Sequence, residues 1–309
     1  MNDLQPITRL FGAAGWTVPP IEQVAHLVAY GQTLASVESV PGVRVQAEAR
    51  AEGIAAQIVV AAGVVVAQPI HLCLGLFERF GVQDIELTLT LEPGAQATLW
   101  AHGLFATPDA VRHTMRAEIR LMEDAVLHHQ EAHWHGEAGD LVVRPRAQVR
   151  LERGARYLAD FSLLHGRVGR LDVDYAVTVG EGAVTELTSR VYGFADDTIR
   201  LCERVALDGA GARGLVKSRV AVSDDARADV IGVMEGNAAG ARGHVDCMEV
   251  VRDRAIVSTV PELRVRHPQA KLTHESAIGS VDGRQLETLM ARGLAPDDAV
   301  DLIVRGMLA

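Results

Sequence analysis

Aromatic residues are scarce in this chain: Phe, Trp and Tyr together make 4% of 309 residues. Hydrophobic residues reach 48%, so a core exists, and it has to be built from Val, Ala, Leu and Ile. Basic charge is also short. The formal net charge is −10, and no basic cluster with interleaved aromatics occurs, which argues against nucleic acid as a partner. Cysteine is limited to Cys73, Cys202 and Cys247. Three is an odd and sparse set, which points to a reducing compartment and not to a disulfide scaffold. The start, Met1-Asn2-Asp3-Leu4, lacks the basic and apolar regions of a signal peptide. No Gly-x-x-x-x-Gly-Lys-[Ser/Thr] loop occurs, so any ATP chemistry belongs to a partner. No Ser-His-Asp signature is present either.

The run from Gly53 to Phe77 lacks charge altogether and is long enough to test as a membrane span. Gln57, Gln68, Pro69 and His71 interrupt it, Gly63 sits in its middle, and Val dominates. Two buried strands, about 55–61 and 64–67, are the better reading, with no membrane association.

What the chain does have is a repeat. A turn-like acidic or Gly residue precedes Ala95, Ala125, Ala155, Ala183, Ala212, Ala226 and Ala241. These alanines are spaced by 30, 30, 28, 29, 14 and 15 residues. Each is followed by an alternating or β-rich run, such as 126–135, 157–163, 184–191 and 214–222. Period-2 segments between evenly spaced turns are strands, and a fixed period of about 20 to 50 residues means a solenoid or array. Two strands per repeat with no helix inside it predict an all-β core: a right-handed parallel β-helix over 41–281.

Helices are expected at both ends, in segments 1–40 and 282–309. Pro20 fits a first helical position, with Val24, Leu27 and Val28 at helical spacing and Gly31 as a stop. Asp282 and Gln285 form a capping-box pattern before Leu286, Leu289 and Met290, and Gly293 ends that stripe. Pro296, Asp297 and Asp298 open a second helix with Val300, Ile303, Val304 and Met307 on its apolar face. Such helices can cap the open end of a solenoid or serve as a docking site.

Chemistry concentrates in Cys247, His274 and Glu275: a thiol, an imidazole and a carboxylate, each a plausible ligand for iron or another soft-to-borderline metal. The 27 positions from Cys247 to His274 are close to one repeat, which brings these groups near each other in adjacent turns. Val245, Cys247 and Glu249 share one strand face. His274 and Glu275 are adjacent, so on a strand they point to opposite faces. His129, Glu131, His133 and His135 also share parity, with Trp134 on the other face, and the cluster is denser than 12 histidines in the chain would give by chance. His133 and His135 are therefore candidate metal ligands, and with Glu137 they offer an alternative: a cupin-like metal enzyme. A purely structural solenoid module is the third reading. Cys73, in an apolar run, reads as core; Cys202, between Arg200 and Glu203, could face the surface.

Three blocks resemble the SufB/SufD family of iron–sulfur cluster assembly scaffolds. They are 213–217 (Arg-Gly-Leu-Val-Lys), 243–247 (Gly-His-Val-Asp-Cys), and a third that runs from His274-Glu275-Ser276-Ala277 through Gln285-Leu286 and Arg292-Gly293-Leu294 to Ile303-Val304-Arg305-Gly306. Cys247 with His274-Glu275 resembles the SufB branch, in a compact form whose long N-terminal portion is reduced. The resemblance implies a cytoplasmic scaffold, not an enzyme, on which a transient iron–sulfur cluster is built at Cys247, His274 and Glu275. It implies pairing with a second copy through the β-helix and docking of a SufC-like ABC-type ATPase on the C-terminal helices. A sulfur donor and apo-acceptor proteins complete the implied partners.

Overall fold

The computed structural model describes residues 5–18, 23–51, 53–76, 78–106 and 109–308. A helix, α1 (Gln5–Ala13), precedes nineteen strands. The first six are β1 (His26–Tyr30), β2 (Thr33–Glu38), β3 (Val43–Arg50), β4 (Gly53–Val60), β5 (Ile70–Leu76) and β6 (Phe80–Leu91). Then come β7 (Gln96–Phe105), β8 (Ala110–Leu121), β9 (Val126–His135), β10 (Leu141–Leu151), β11 (Arg156–Leu163), β12 (Arg170–Val179) and β13 (Val184–Gly193). The last six are β14 (Thr198–Leu207), β15 (Arg213–Val222), β16 (Arg227–Gly236), β17 (Arg242–Val251), β18 (Ile256–Val265) and β19 (Lys271–Gly279). Two helices follow, α2 (Gly283–Ala291) and α3 (Pro296–Leu308).

From β5 onward, odd strands stack in one sheet and even strands in the other, each parallel to the strand one turn away. The result is a β-solenoid of about eight turns. Only the two hairpins at the start, β1–β2 and β3–β4, are antiparallel.

The alternating sequence explains the register. In β12, Leu171, Val173, Tyr175, Val177 and Val179 are buried, while Arg170 is exposed and Asp172 and Asp174 are partly so. Like residues stack on like: Leu91, Leu121, Leu151, Val179 and Leu207 form one interior column. Each such side chain contributes about 2 kcal/mol by burial. A register slip of one residue would turn the whole column outward.

The repeated alanines are the corners. Ala95, Ala125, Ala155, Ala183, Ala212, Ala226 and Ala241 are all fully buried. Each amide donates to the carbonyl three residues earlier, as in Ala95 N–H to Glu92 O at 3.0 Å. The residue before the alanine often lies in the left-handed region, with φ of +71° at Gly94 and +57° at Asp124. That backbone favours Gly and tolerates Asp, which is why the turns read Gly-Ala or Asp-Ala.

Three expectations need correction. The helix expected across Val24, Leu27 and Val28 is not formed: Leu27 and Val28 lie in β1, and Pro20 falls outside the described residues. These apolar residues pack inside and beside the first turn, and tertiary burial overrides helical spacing. The strand expected at 64–67 is instead a turn with a single bridge from Val65 to Gln96. The second strand begins at Ile70 and includes His71 and Cys73. Finally, α2 and α3 do not cap the open end. The buried face of α3, Val300, Val304 and Leu308, packs on Ala221 with Tyr192 and Val250, against the outside of the odd sheet. The last turn therefore stays open: Val265 and Ile278, both of inward parity, are each about half exposed. No helix among the described residues is long and apolar enough to cross a membrane.

Candidate functional site: the interior of the last turns

Cys247 lies on β17 with Val245 and Glu249, all three facing the solenoid interior and buried. The expected shared face is therefore formed. Above and below Cys247 in register stand Ser218 on β15 and Ser276 on β19. Across the interior, a Cβ built on Gly232 of β16 would come within 4.0 Å of Cys247 Sγ and 2.8 Å of Val245 Cγ1. The absence of a side chain at Gly232 is what lets Val245 pack this close beside the thiol.

The surroundings are polar and acidic for a core. Ser218 Oγ donates to Glu249 Oε1 at 3.3 Å, and Ser189 Oγ donates to Glu203 Oε1 at 2.8 Å. Glu249 Oε2 and Thr259 Oγ1 are buried without a hydrogen bond of good geometry among the described residues, and Thr259 lies close enough to Glu249 to favour its ionised form. Burial pushes the Cys247 thiol up to about 11, against the lowering effect of Ser218. Burial raises Glu249 above the usual carboxylate range and brings Glu203 to about 7. Thiol and carboxyl side by side are a donor set whose ionised forms a metal ion stabilises together.

His274 and Glu275 are exposed on β19. His274 pairs with Val245, so it shares the inward parity of Cys247 on the open end. Glu275 pairs with Asp246 on the opposite face, where Asp246 is bound by Arg219 at 2.6 Å. A single chain brings His274 and Cys247 to one face and leaves Glu275 on the other.

The histidine cluster of β9 is wholly interior: His129, Glu131, His133 and His135 are buried. His133 Nε2–H donates to Glu131 Oε1 at 2.9 Å, and Tyr175 O–H donates to Glu131 Oε2 at 2.7 Å. Burial alone would raise Glu131, but these bonds and the neighbouring imidazoles hold it down at about 2. His135 Nδ1–H donates to the Arg167 carbonyl at 2.9 Å, which leaves His135 Nε2 3.4 Å from His133 Nδ1. The contact between these two nitrogens depends on which ring positions carry the protons. Glu137 lies exposed beyond the end of β9. A cupin-like site would need a closed barrel, and the chain forms an open solenoid.

The other cysteines face outward. Cys73 is core beneath α1, as its sequence context predicts. Cys202 is on the outer face but buried there: Arg204 donates to its sulfur at 3.0 Å, and Asp174 and Ile231 flank it in register. Glu203, Ser189 and Ser218 carry no motif and were not singled out in the sequence. Their only signal is inward parity on β13, β14 and β15.

The fold defines the class as a parallel β-solenoid, here with one interior thiol near an open end. Residues 81–307 match the SufBD core domain of SUF system FeS cluster assembly. The chain is 33% identical to an iron-sulfur cluster assembly SufBD family protein of Methanocaldococcus jannaschii, covering 100% of this chain and 99% of the relative. A relative of the same description from Pyrococcus horikoshii is 34% identical, over 93% of this chain and 87% of its own length. The chain belongs to the SufBD family.

Proposed function

We propose that this protein is a cytoplasmic scaffold on which iron and sulfide are assembled into a cluster at Cys247. The observation that carries the reading is that Cys247 alone among the three cysteines faces the interior, one turn from the open end, beside the buried carboxyl of Glu249. Thiolate ligation is the ordinary way to hold an iron–sulfur cluster. His274 adds a ligand on the same face, and the carboxyl of Glu249 lies in the adjacent column of β17.

The working unit is a homodimer joined through the open last turn. The outer edge of β19 has no strand neighbour and the last turn exposes apolar side chains; an open edge of this kind calls for a partner. In this assembly Glu275 serves at the joint between copies instead of on Cys247's own face. The facing nitrogens of His133 and His135 form an ancillary cation site deeper in the solenoid. A SufC-like ATPase docks on α2 and α3, and a sulfur donor and apo-acceptors deliver and remove material.

Anaerobic reconstitution with iron and sulfide, read by absorption and Mössbauer spectra, tests the reading. Bound iron and acid-labile sulfide in the wild type, abolished in Cys247→Ala, support it. A full complement in folded Cys247→Ala refutes it.

A further inference from the structure

At the opposite end of the solenoid, beneath α1, the outer face of the odd sheet carries a second set of ligating groups. His71 and Cys73 project from β5 and His102 from β7, with Cys73 and His102 directly paired in register. One ligand atom from each of the three residues lies within 4.8 Å of the other two. The Cys73 Sγ to His102 Nδ1 distance is 3.8 Å. Bonds of about 2.3 Å to sulfur and 2.0 Å to nitrogen, opened to about 120°, span about that separation. The imidazoles of His71 and His102 are stacked nearly parallel, with centroids 5.9 Å apart.

A second observation points the same way. His71 is 2% exposed, and its Nδ1 has no hydrogen-bond partner. An orphaned buried acceptor or donor costs about 1–3 kcal/mol, and nearby His26 offers no relief, because its nitrogens are engaged by Val24 O and Ser36 Oγ.

We propose that His71, Cys73 and His102 form a metal site for a borderline divalent ion of the zinc type, separate from the Cys247 site. The donor set, one sulfur and two imidazole nitrogens without a carboxylate, disfavours magnesium and calcium. Binding forms the Sγ–metal bond as the thiol proton leaves to solvent, and water completes a tetrahedral shell on the side where His102 is only half-buried. Phe11 lies 5.1 Å and Trp16 5.7 Å from the His102 ring, so the ion would also pin the N-terminal segment to the solenoid.

Cobalt(II) is the probe, titrated anaerobically into metal-free protein and read by thiolate-to-cobalt charge-transfer absorption. Tryptophan emission gives an independent readout. Trp100 stands 5.4 Å from His71 and Trp134 packs in the same apolar cluster as Phe11, so all three tryptophans lie near the site. The expected result is a one-to-one charge-transfer signal with quenching, displaced by zinc, retained in Cys247→Ala and lost in Cys73→Ser and His102→Gln. His102→Gln decides if Cys73→Ser fails to fold by circular dichroism. The proposal is overturned if wild-type protein shows no such signal, if zinc does not displace it, or if it disappears in Cys247→Ala and survives in His102→Gln.

Discussion

Glu131 and Cys247 stand in the same interior column of the odd sheet, separated by Phe161, Ser189 and Ser218. The first lies in mid-β9 between His129 and His133, and the second sits one strand from the open end. The two polar centres of the solenoid interior thus lie on one line, with serines leading from Phe161 to the thiol.

Glu131→Ala should expose what that line costs to maintain. It would strand His133 Nε2–H and Tyr175 O–H in the core. Removing one partner of such a network costs about 3 kcal/mol or more. The denaturant midpoint of Glu131→Ala should drop accordingly, and a shift below about 1 kcal/mol would show that the network contributes little.

Much of this arrangement is legible in the sequence because the turn alanines and the alternation between them fix both the coil and the parity of each strand. Cys247 and Glu249, and His129 to His135, follow directly from that parity. Leu27 and Val28 were misread because a short apolar run fits a helix face and a buried strand equally well. Cys202 does take the outward face, but its burial there under Arg204 is a contact that periodicity does not encode. Ser189, Ser218 and Glu203 escaped notice because small polar residues on a strand look like solvated positions until neighbouring turns are stacked on them. The open last turn was hidden too, since an amphipathic helix does not announce which surface it will cover.

Glu203 gives a pH prediction. Its folded value of about 7 lies above the ordinary 4.5, so in that interval the folded state holds a proton that the unfolded state releases. Its contribution is full below about pH 4.5 and is lost as pH rises through 7. Glu203→Gln should flatten this part of the stability profile and exceed the wild type above pH 7 by up to about 3 kcal/mol. Urea unfolding at pH 5, 6, 7 and 8 measures it; parallel profiles for the two proteins would contradict the assignment.

Gly232→Ala tests the packing at Cys247. Its Cβ would meet Val245 Cγ1 at 2.8 Å, so Val245 has to shift and the packing around the thiol is disturbed. The expected loss of stability is about 1–3 kcal/mol, with cluster content after reconstitution reduced more than in a surface variant of equal stability. Unchanged iron and sulfide would place the cluster elsewhere.

The open end predicts its own disruption. Ile278 is on the inward face of β19 and about half exposed, and Val265 ends β18 on the same opening. Ile278→Glu with Val265→Glu puts two charges on the proposed joint without touching a buried side chain. Sedimentation should change from dimer to monomer at micromolar concentration, with the circular dichroism spectrum unchanged. A dimer that survives both substitutions would move the contact away from the last turn.

Docking of the ATPase is best tested on a residue that the fold does not use. The inner face of α3, Val300, Val304 and Leu308, is already committed to Ala221, and deleting the helix would uncover that surface. Leu302 lies on the other side of α3 and is 51% exposed, and Met290 at the end of α2 is 41% exposed. Both offer apolar surface with no intramolecular task. Leu302→Asp and Met290→Asp should leave the melting temperature within about 2 °C, since neither is buried, while co-purification with a SufC-like protein falls at least tenfold. Undiminished binding by the folded double variant would show that the partner docks on another surface, and Val304→Asp would then fail only through loss of packing, visible as a lowered melting temperature.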